Sequence, residues 1–395
     1  MAIRLLHSGD LHPNSKATFA GKVAVDPETG KNLSLTDFRR SAEFLCMAAL
    51  SQDTRVDVAL FAGDLLDSVQ PSMDEVRVIV EMVETLADEI QVVVISGNHD
   101  MGASGSMATA LEPLKLRQNV HIMERPGSLL LNLGGQPVRF FGLPYPSRGR
   151  LLATIEDKGK SPEEVTALIN HGLASILRGF AMEFEEGVPN VLLAHGSVSN
   201  AKVGDQPRSI ANDILIPLPE LERFDYTALG HIHQQQQVGP AAWYCGSLLR
   251  QSFGEEREYK GFNIVEMMHG KPAEVRFVEN PHARKYATLD FSDLEFYHQN
   301  GESLDPETVW RLKDSMTPQD YMDKKAFIES MASTVPFFQV AVELVEQDRA
   351  RDASMSQMMS MDEALLKVLS DMSDSEQSAL LEKHHALVSE VNHAN

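Results

Sequence analysis

The sequence is short of cysteine, of long apolar runs and of basic residues, and each shortage excludes a class of protein. Its two cysteines, Cys46 and Cys245, cannot form a disulfide framework, and Cys46 lies in an apolar run typical of a buried thiol. The apolar runs are strand-sized, far below the roughly 20 residues that span a membrane. The first residues enter a strand pattern at once, without the features of a secretory signal. We therefore expect a protein of the reducing cytoplasm with no membrane segment.

Basic residues are outnumbered, with 35 Lys and Arg against 57 Asp and Glu and a net charge of −22. A field of that sign repels phosphate, so the chain is poorly suited to binding nucleic acid without a partner. Divalent cations, local basic loops or a partner subunit would have to offset it. Alternatively, the acidity serves solubility alone.

The order of apolar and polar stretches predicts a layered α/β fold. A chain of 395 residues exceeds a typical single domain, so two or three units are expected. Three successive strand–loop–helix units open the chain, and such alternation favours helices packed on a largely parallel sheet. The predicted strands cover 4–8, 56–61, 92–95, 138–143, 191–194, 226–229, 243–247, 262–265 and 273–278, and the predicted helices 36–51, 72–89 and 162–181. The polar segment 13–35 is predicted to be a long loop.

The residue pattern of the chain changes near residue 270, and this change predicts three domains. The first would cover residues 1–270, a smaller α+β unit 271–345, and a helical tail 346–395. The tail has 10 acidic and 4 basic residues, so it is not expected to bind DNA. Ser373 and Glu376 predict a capping box. The helical face that follows would have to pack on its own domain or on a partner, and its residues are Leu380, Leu381, His384, Val388 and Val391.

Polar motifs follow five of the predicted strands. Alone, each is typical of a polar turn, but five in succession favour one shared site, because loops at strand ends can converge. The motifs are Asp10-x-His12, Gly63-Asp64-x-x-Asp67, Gly97-Asn98-His99-Asp100, Ala194-His195-Gly196 and Gly230-His231-x-His233.

The residue types in these motifs indicate a metal centre. Carboxylate, imidazole and amide donors without thiolate suit manganese, iron or zinc. Two ions about 3.5–4 Å apart, bridged by a shared carboxylate, clamp a phosphate ester and activate a water for attack. The candidate ligands, too many for one ion, are Asp10, His12, Asp64, Asn98, His195, His231 and His233.

The motifs, in this order, resemble those of the calcineurin-like metallophosphoesterase superfamily over about residues 1–270. The resemblance implies a β-sandwich flanked by helices, with Asp64 bridging two metal ions. One ion would also take Asp10, His12 and His233, and the other Asn98, His195 and His231. His99 would contact the phosphate and protonate the leaving oxygen, oriented by an acidic partner, and Asp67 is the second predicted catalytic residue.

Two further stretches resemble SbcD-type nucleases, the nuclease subunits of SbcC–SbcD complexes that process DNA ends in repair and recombination. They are Gly63 to Ser72 and Tyr244-Cys245-Gly246-Ser247 continuing to Ser252-Phe253-Gly254-Glu255. The resemblance implies an exonuclease and endonuclease dependent on two Mn²⁺ ions. It also implies a capping domain, a C-terminal helical segment that docks on an SbcC-like SMC-family ATPase, and a homodimer through helices near 72–88 and 105–117.

Two questions remain open at the level of sequence. Basic residues near the motifs could form a rim for the DNA backbone or could be ordinary solvated charges; they are Lys16, Lys22, Lys31, Arg39, Arg40, Arg148, Arg150, Lys202, Arg208 and Arg250. Of these, Arg148 and Arg250 are the predicted substrate-binding residues. The same motifs would also serve a phosphodiesterase for a small nucleotide. A non-enzymatic scaffold would have lost ligand positions, and none is lost.

Overall fold

The structure is a computed structural model that describes residues 2–101, 110–146, 160–202, 214–268, 271–345, 369, 372 and 374–393. The strands in these ranges are β1 (Ile3–Ser8), β2 (Thr18–Phe19), β3 (Lys22–Val23), β4 (Val58–Phe61), β5 (Gln91–Ile95), β6 (Val120–Met123), β7 (Gly127–Leu133), β8 (Gln136–Leu143), β9 (Asn190–His195), β10 (Tyr226–Gly230), β11 (Gln236–Gln237), β12 (Ala242–Tyr244), β13 (Gly261–Met267), β14 (Glu274–Glu279), β15 (Tyr286–Leu289), β16 (Val309–Met316) and β17 (Phe338–Leu344). The α-helices are α1 (Leu33–Leu50), α2 (Met73–Ala87), α3 (Pro162–Ala181), α4 (Leu218–Leu221), α5 (Phe291–Gln299), α6 (Pro318–Ala332) and α7 (Asp374–His393).

Two six-stranded sheets carry the predicted strand-end motifs. Their strand orders are β14-β13-β1-β4-β5-β6 and β11-β12-β10-β9-β8-β7. In the first sheet β1, β4, β5 and β6 run parallel, and in the second β8, β9, β10 and β12 do. Parallel strands bring their carboxyl ends to one edge of a sheet, so the loops that follow β1, β4 and β5 lie side by side, as do those after β9 and β10. The layered α/β prediction is confirmed.

Successive residues of each central strand pack into different hydrophobic clusters. In β4, Val58 and Leu60 belong to a cluster that also contains Phe140 and Leu193 of the second sheet. Ala59 and Phe61 belong instead to the cluster formed with α1 and α2. Strand side chains alternate between the two faces of a sheet, so β4 is covered on both. This explains why its sequence is a continuous apolar run rather than an alternating one.

Helix starts follow from their capping residues. Helix α1 begins at Leu33, not near 36 as predicted, because the Asn32 side chain accepts a hydrogen bond from the Ser34 amide. Ser72 begins α2 in a capping box with Glu75. The bounds of α3 match the prediction.

Some short strands escaped the sequence prediction. The hairpin of β2 and β3 lies within the segment predicted to be a loop, and β6 and β7 were not predicted. In β2 and β3 each strand has only two residues, too few to show a period.

The chain divides into two compact units. The first comprises Met1–Asp314 and Phe327–Ala341, and the second Ser315–Ala326 and Val342–Asn395. The domain boundaries predicted at 270 and 345 stay a prediction. In the tail, α7 is helical as expected, whereas the predicted cap Ser373 and the side chains of Val388 and Val391 lie outside the described residues. None of the described helices is long and apolar enough to cross a membrane.

A buried histidine in β1 predicts acid sensitivity of the fold. The Nδ1 atom of His7 lies 2.8 Å from the Tyr226 hydroxyl, and its Nε2 atom lies 3.2 Å from the Leu229 carbonyl oxygen. Burial lowers the pKa of His7 to about 3, against roughly 6.5 in an unfolded chain. Between these values the unfolded chain binds more protons, so the free energy of unfolding falls as the pH falls.

We expect His7→Gln to reduce this pH dependence, because glutamine does not titrate. Between pH 7 and pH 5 the loss in free energy of unfolding should be smaller than in the wild type by about 2 kcal/mol. Urea unfolding at both pH values in chelator measures it. His171→Gln, which alters an exposed side chain of α3, is the matched control. Equal pH dependence in the His7 variant and the wild type would contradict the prediction.

Candidate metal centre

The backbone at the strand ends is strained where the candidate ligands lie. Among the described residues, five non-glycine residues have positive φ, and four are candidate ligands: Asp10 (48°), His12 (43°), Asp64 (51°) and His231 (98°). Such conformations cost an L residue roughly 1–2 kcal/mol each. They persist only where the surrounding structure fixes them, as is typical of functional sites.

The first ligand set is formed by Asp10, His12 and His233. Their ligand atoms lie within 4.8 Å of one another. The His12 side chain is 3% exposed, yet neither of its ring nitrogens has a hydrogen-bond partner in the described part of the chain. Leaving a buried polar group unpaired is costly. A cation at this position would satisfy one of the two nitrogens, so these residues fit a metal ion.

The second ligand set surrounds the Asn98 side chain. The Asn98 Oδ1 atom lies 3.0 Å from His195 Nε2 and 3.1 Å from His231 Nδ1. The Asp64 Oδ2 atom lies 3.3 Å from the same His195 nitrogen. Asp10 lies within 4.8 Å of Asp64 and His195, so the oxygen and nitrogen atoms of these groups surround one small volume that a second cation fits.

Asp64 lies between the two sets, because its Oδ2 atom is also 3.6 Å from His12 Nε2. The structure therefore brings all seven candidate ligands together, with Asp64 between them, and the bridging role predicted for Asp64 stays a prediction. Chemically, the donor set of carboxylate, imidazole and amide suits divalent metal ions. The assignment of each residue to one ion stays a prediction.

Two glycines make room for this arrangement. A Cβ atom on Gly97 would lie 2.1 Å from Asp64 Oδ1, and one on Gly63 would lie 2.4 Å from His195 Nδ1. Gly63 also has a φ of 91°, which an L side chain rarely adopts. A larger residue at either position would displace a candidate ligand.

The protonation of each group in the centre depends on its burial and on the charges of its neighbours. Burial raises the pKa of Asp10 to about 6. For Asp64, burial opposes ionisation, but the neighbouring imidazoles of His195 and His12 hold its pKa well below the usual range. For His195, burial opposes the charge, but the Asp64 carboxylate raises its pKa to about 9. Because ligands must lose their protons to bind a metal ion, the metal affinity of the centre is expected to fall as the pH falls.

Asp100 ties the loop after β5 to the loop after β4. Its carboxylate accepts hydrogen bonds from the amides of Gly97 (2.9 Å), Leu66 (3.0 Å) and Leu65 (3.3 Å). In the same loop, the His99 amide donates to Asp64 Oδ1 at 2.8 Å. These bonds fix the Asp64 carboxylate relative to Asn98.

His99 lies at the edge of the first set. Its Nδ1 atom is 2.8 Å from the main-chain carbonyl oxygen of Asp67, so Nδ1–H donates and Nε2 is left for proton transfer. The orienting contact is therefore made by the main chain of Asp67, not by its carboxylate. That carboxylate accepts from Asn14 Nδ2 at 2.8 Å and lies 3.6 Å from His12 Nδ1. The catalytic roles predicted for His99 and Asp67 stay predictions, and by distance alone both also group with His12.

The sequence prediction missed three residues around the centre. Glu255 accepts a hydrogen bond from His233 Nδ1, and the buried Lys260 pairs with Glu255. The Tyr145 ring packs against those of His195 and His231, at centroid distances of 6.0 and 5.8 Å. Glu255 ends the Ser252–Glu255 stretch that marks the resemblance, but no pattern marks Lys260.

The structure gives the predicted substrate-binding residue Arg250 another use. Its guanidinium donates to the carbonyl oxygens of Ala283 and Arg284 at 3.2 Å each and of Glu258 at 2.7 Å. Its contact with substrate stays a prediction. Arg148, the other predicted substrate-binding residue, lies outside the described residues, as do Arg150 and Arg208.

Two members of the predicted basic rim are paired with acids. Lys31 lies 2.6 Å from Asp74, and Arg39 lies 3.0 Å from Glu81. At these two positions the structure favours ordinary charge balance over a free basic rim.

Comparison with known proteins agrees with this geometry. Residues 3–235 match the model of a family described as calcineurin-like phosphoesterase. The chain belongs to the calcineurin-like phosphoesterase family, and its centre is that of a metal-dependent phosphoesterase. Within the family it is similar to the SbcD component of the nuclease SbcCD of Staphylococcus epidermidis, with 24% identity over 302 residues and 74% of each chain covered. This relative confirms the resemblance to SbcD-type nucleases.

A solved structure, that of the sulfate thiohydrolase SoxB of Thermus thermophilus with glycerol, also matches. It is 13% identical, with a TM-score of 0.34, over 70% of this chain. The chain spans just over half of that structure, at 56%.

Replacing His99 should separate metal binding from chemistry. We expect His99→Ala to keep its bound metal but to hydrolyse a phosphodiester about 10²–10⁴-fold more slowly, the usual contribution of general acid catalysis. Bound metal is measured by elemental analysis and turnover with a chromogenic diester. Asp64→Ala is the contrasting variant and should lose at least one ion. Loss of metal in His99→Ala, or unchanged turnover, would show that its role is assigned wrongly.

Proposed function

We propose that the chain is the Mn²⁺-dependent nuclease subunit of an SbcCD-like complex and hydrolyses DNA phosphodiesters with two metal ions. The observation that carries the proposal is the convergence of two ligand sets on Asp64, whose Oδ2 atom lies 3.3 Å from His195 Nε2 and 3.6 Å from His12 Nε2. The similarity to the nuclease component of an SbcCD complex supports the choice of DNA as substrate.

The residues of the centre divide the work of hydrolysis. Two divalent ions, when bound, neutralise the phosphate and lower the pKa of a water molecule. Asp10, His12 and His233 would hold one ion and Asn98, His195 and His231 the other, with Asp64 shared between them.

His99 would then act as the acid. As an imidazolium it keeps Nδ1–H on the Asp67 carbonyl oxygen, at 2.8 Å, and presents Nε2–H to the leaving oxygen. The main-chain contact fixes which nitrogen is available for the transfer.

A partner would supply most of the attraction for DNA. The chain carries a net charge of −22, and Lys31, Arg39 and Arg250 already have partners. We propose that an SbcC-like SMC-family ATPase binds the C-terminal helices, and that two copies of the chain associate through α2 and the segment 105–117. The first residues of that segment lie outside those described. Such a complex would act in the cytoplasm, on DNA ends in repair and recombination.

A phosphodiesterase for a small nucleotide is the second candidate. The same ligand sets would serve it, and the pairing of the rim residues Lys31 and Arg39 with acids favours it, because a small substrate needs no extended basic surface. Cleavage of a generic diester but not of DNA, with and without an ATPase partner, would support this alternative.

Metal removal tests the proposed chemistry directly. We expect cleavage of single-stranded DNA to stop in chelator and to return with Mn²⁺ more fully than with Mg²⁺, because imidazole ligands favour the softer ion. Cleavage assays after dialysis, with each metal in titration, measure this. Full activity in chelator would refute the proposal.

Removal of the tail tests the proposed partner. A chain that ends at Arg351 should keep metal-dependent cleavage of single strands but lose ATPase binding and ATP-stimulated cleavage of duplex ends. Leu380→Glu, at a side chain 38% exposed on α7, should weaken the same association without shortening the chain. Pull-down with a purified SbcC-like ATPase measures both, with Glu382→Gln on α7 as control. Unchanged association of the shortened chain would contradict the proposal, and its unfolding would indicate intramolecular packing instead.

A further inference from the structure

A carboxylate holds one of the two ring nitrogens of His233. Its Nδ1 atom lies 2.8 Å from Glu255 Oε1. An ionised carboxylate can only accept, so Nδ1 carries the proton and the lone pair is on Nε2. This is the tautomer that offers Nε2 to a metal at the position of Asp10 and His12.

Glu255 is itself fixed through its second oxygen. Its Oε2 atom accepts from the Gln251 amide at 2.9 Å and lies 2.8 Å from Lys260 Nζ. Both carboxylate oxygens therefore have partners, and rotation of the Glu255 side chain away from His233 would break three contacts.

Lys260 is the buried anchor of this group. Its side chain is 0% exposed, and its ammonium lies 2.8 Å from Glu255 and 2.7 Å from Glu258. It also donates to Ser247 Oγ at 2.9 Å and to the His233 carbonyl oxygen at 3.1 Å. Lys260 thus holds His233 twice, through the main chain and through Glu255.

One of the two histidines of the second set, His195, has a different support. His195 Nδ1 lies 2.7 Å from the carbonyl oxygen of Ala62, a neutral acceptor. A carboxylate partner makes an imidazole a more basic ligand than a neutral carbonyl does. The two metal positions therefore differ in the residues behind them as well as in their ligands.

We propose that Glu255 and Lys260 are positioning residues that set the affinity of the metal position formed by Asp10, His12 and His233, without setting that of the other position. The inference rests on the proposed two-metal function. If Glu255 and Lys260 served only as a buried ion pair that stabilises the fold, their loss would lower stability and affect both positions alike.

Site-resolved Mn²⁺ binding to the full chain tests this inference. Calorimetric titration of metal-free protein, with electron paramagnetic resonance to count bound and free Mn²⁺, needs no substrate. We expect two ions on the wild type. Glu255→Ala should bind one ion with wild-type affinity and the other about 10–100-fold more weakly. Glu255→Gln, whose amide oxygen can still accept from His233, should recover part of the loss.

A double-mutant cycle tests the part played by Lys260. Lys260→Met should weaken the same position, because Glu255 loses the cation that fixes it, and this effect should be smaller in a Glu255→Ala background, where Lys260 holds His233 through its carbonyl oxygen alone. Tighter binding by Lys260→Met would overturn this part, since it would mean that the ammonium acts on the ion by charge and not through Glu255.

Glu256→Gln is the matched control, because that neighbouring carboxylate contacts Thr288 and Arg311 and not His233. It should bind both ions as the wild type does. Unchanged binding in Glu255→Ala, or equal weakening of both positions, would overturn the inference. A wild type that binds no Mn²⁺ would refute the proposed function itself, a result distinct from both. Should Glu255→Ala not fold, the contrast between Glu255→Gln and Glu256→Gln decides.

Discussion

The structure depends on how the charge of one buried carboxylate is compensated. Asp64 is 2% exposed, and its Oδ2 atom faces imidazole nitrogens of His12 and His195 at 3.6 and 3.3 Å. An isolated ionised carboxylate in such surroundings is costly unless it is paired or binds a metal. Its other oxygen, Oδ1, is used by the His99 amide. Asp64 therefore fixes the loop that carries Asn98 and the position of any shared cation at the same time.

The sheets supply the geometry that this carboxylate requires. Parallel strands from two sheets bring five loops together, and the core shared by the sheets holds those loops in register. This arrangement of the loops strains the backbone, because four candidate ligands have positive φ: Asp10, His12, Asp64 and His231. Mutual pairing of the ligands cannot offset this cost fully, because His12 has no hydrogen-bond partner in the described part of the chain. The fold is thus built for a bound cation, and metal removal is expected to lower its stability.

Sequence reasoning predicted the residues that lie next to a strand end. Asp64 and His195 come at the ends of apolar runs. In each case the apolar run predicts a strand, and the polar residue at its end predicts the site. Glu255 and Lys260 could not be predicted in this way. Their contact with His233 joins residues that are 22 and 27 positions apart and depends on tertiary packing. The early start of α1 was missed for a local reason, since Asn32 was read as part of a polar loop and not as a cap.

Charge also determines how the whole chain interacts with metal ions and with DNA. A net charge of −22 draws divalent cations towards the ligand sets but repels the phosphates of DNA. Two bound ions would reverse the sign only locally, because screening limits their reach to about 10 Å at moderate salt. Lys31 and Arg39 do not extend the positive potential beyond that distance, since Asp74 and Glu81 neutralise them. Under the proposed function, the centre therefore recognises the scissile phosphate itself, and the proposed ATPase partner would supply the basic surface for the rest of the duplex.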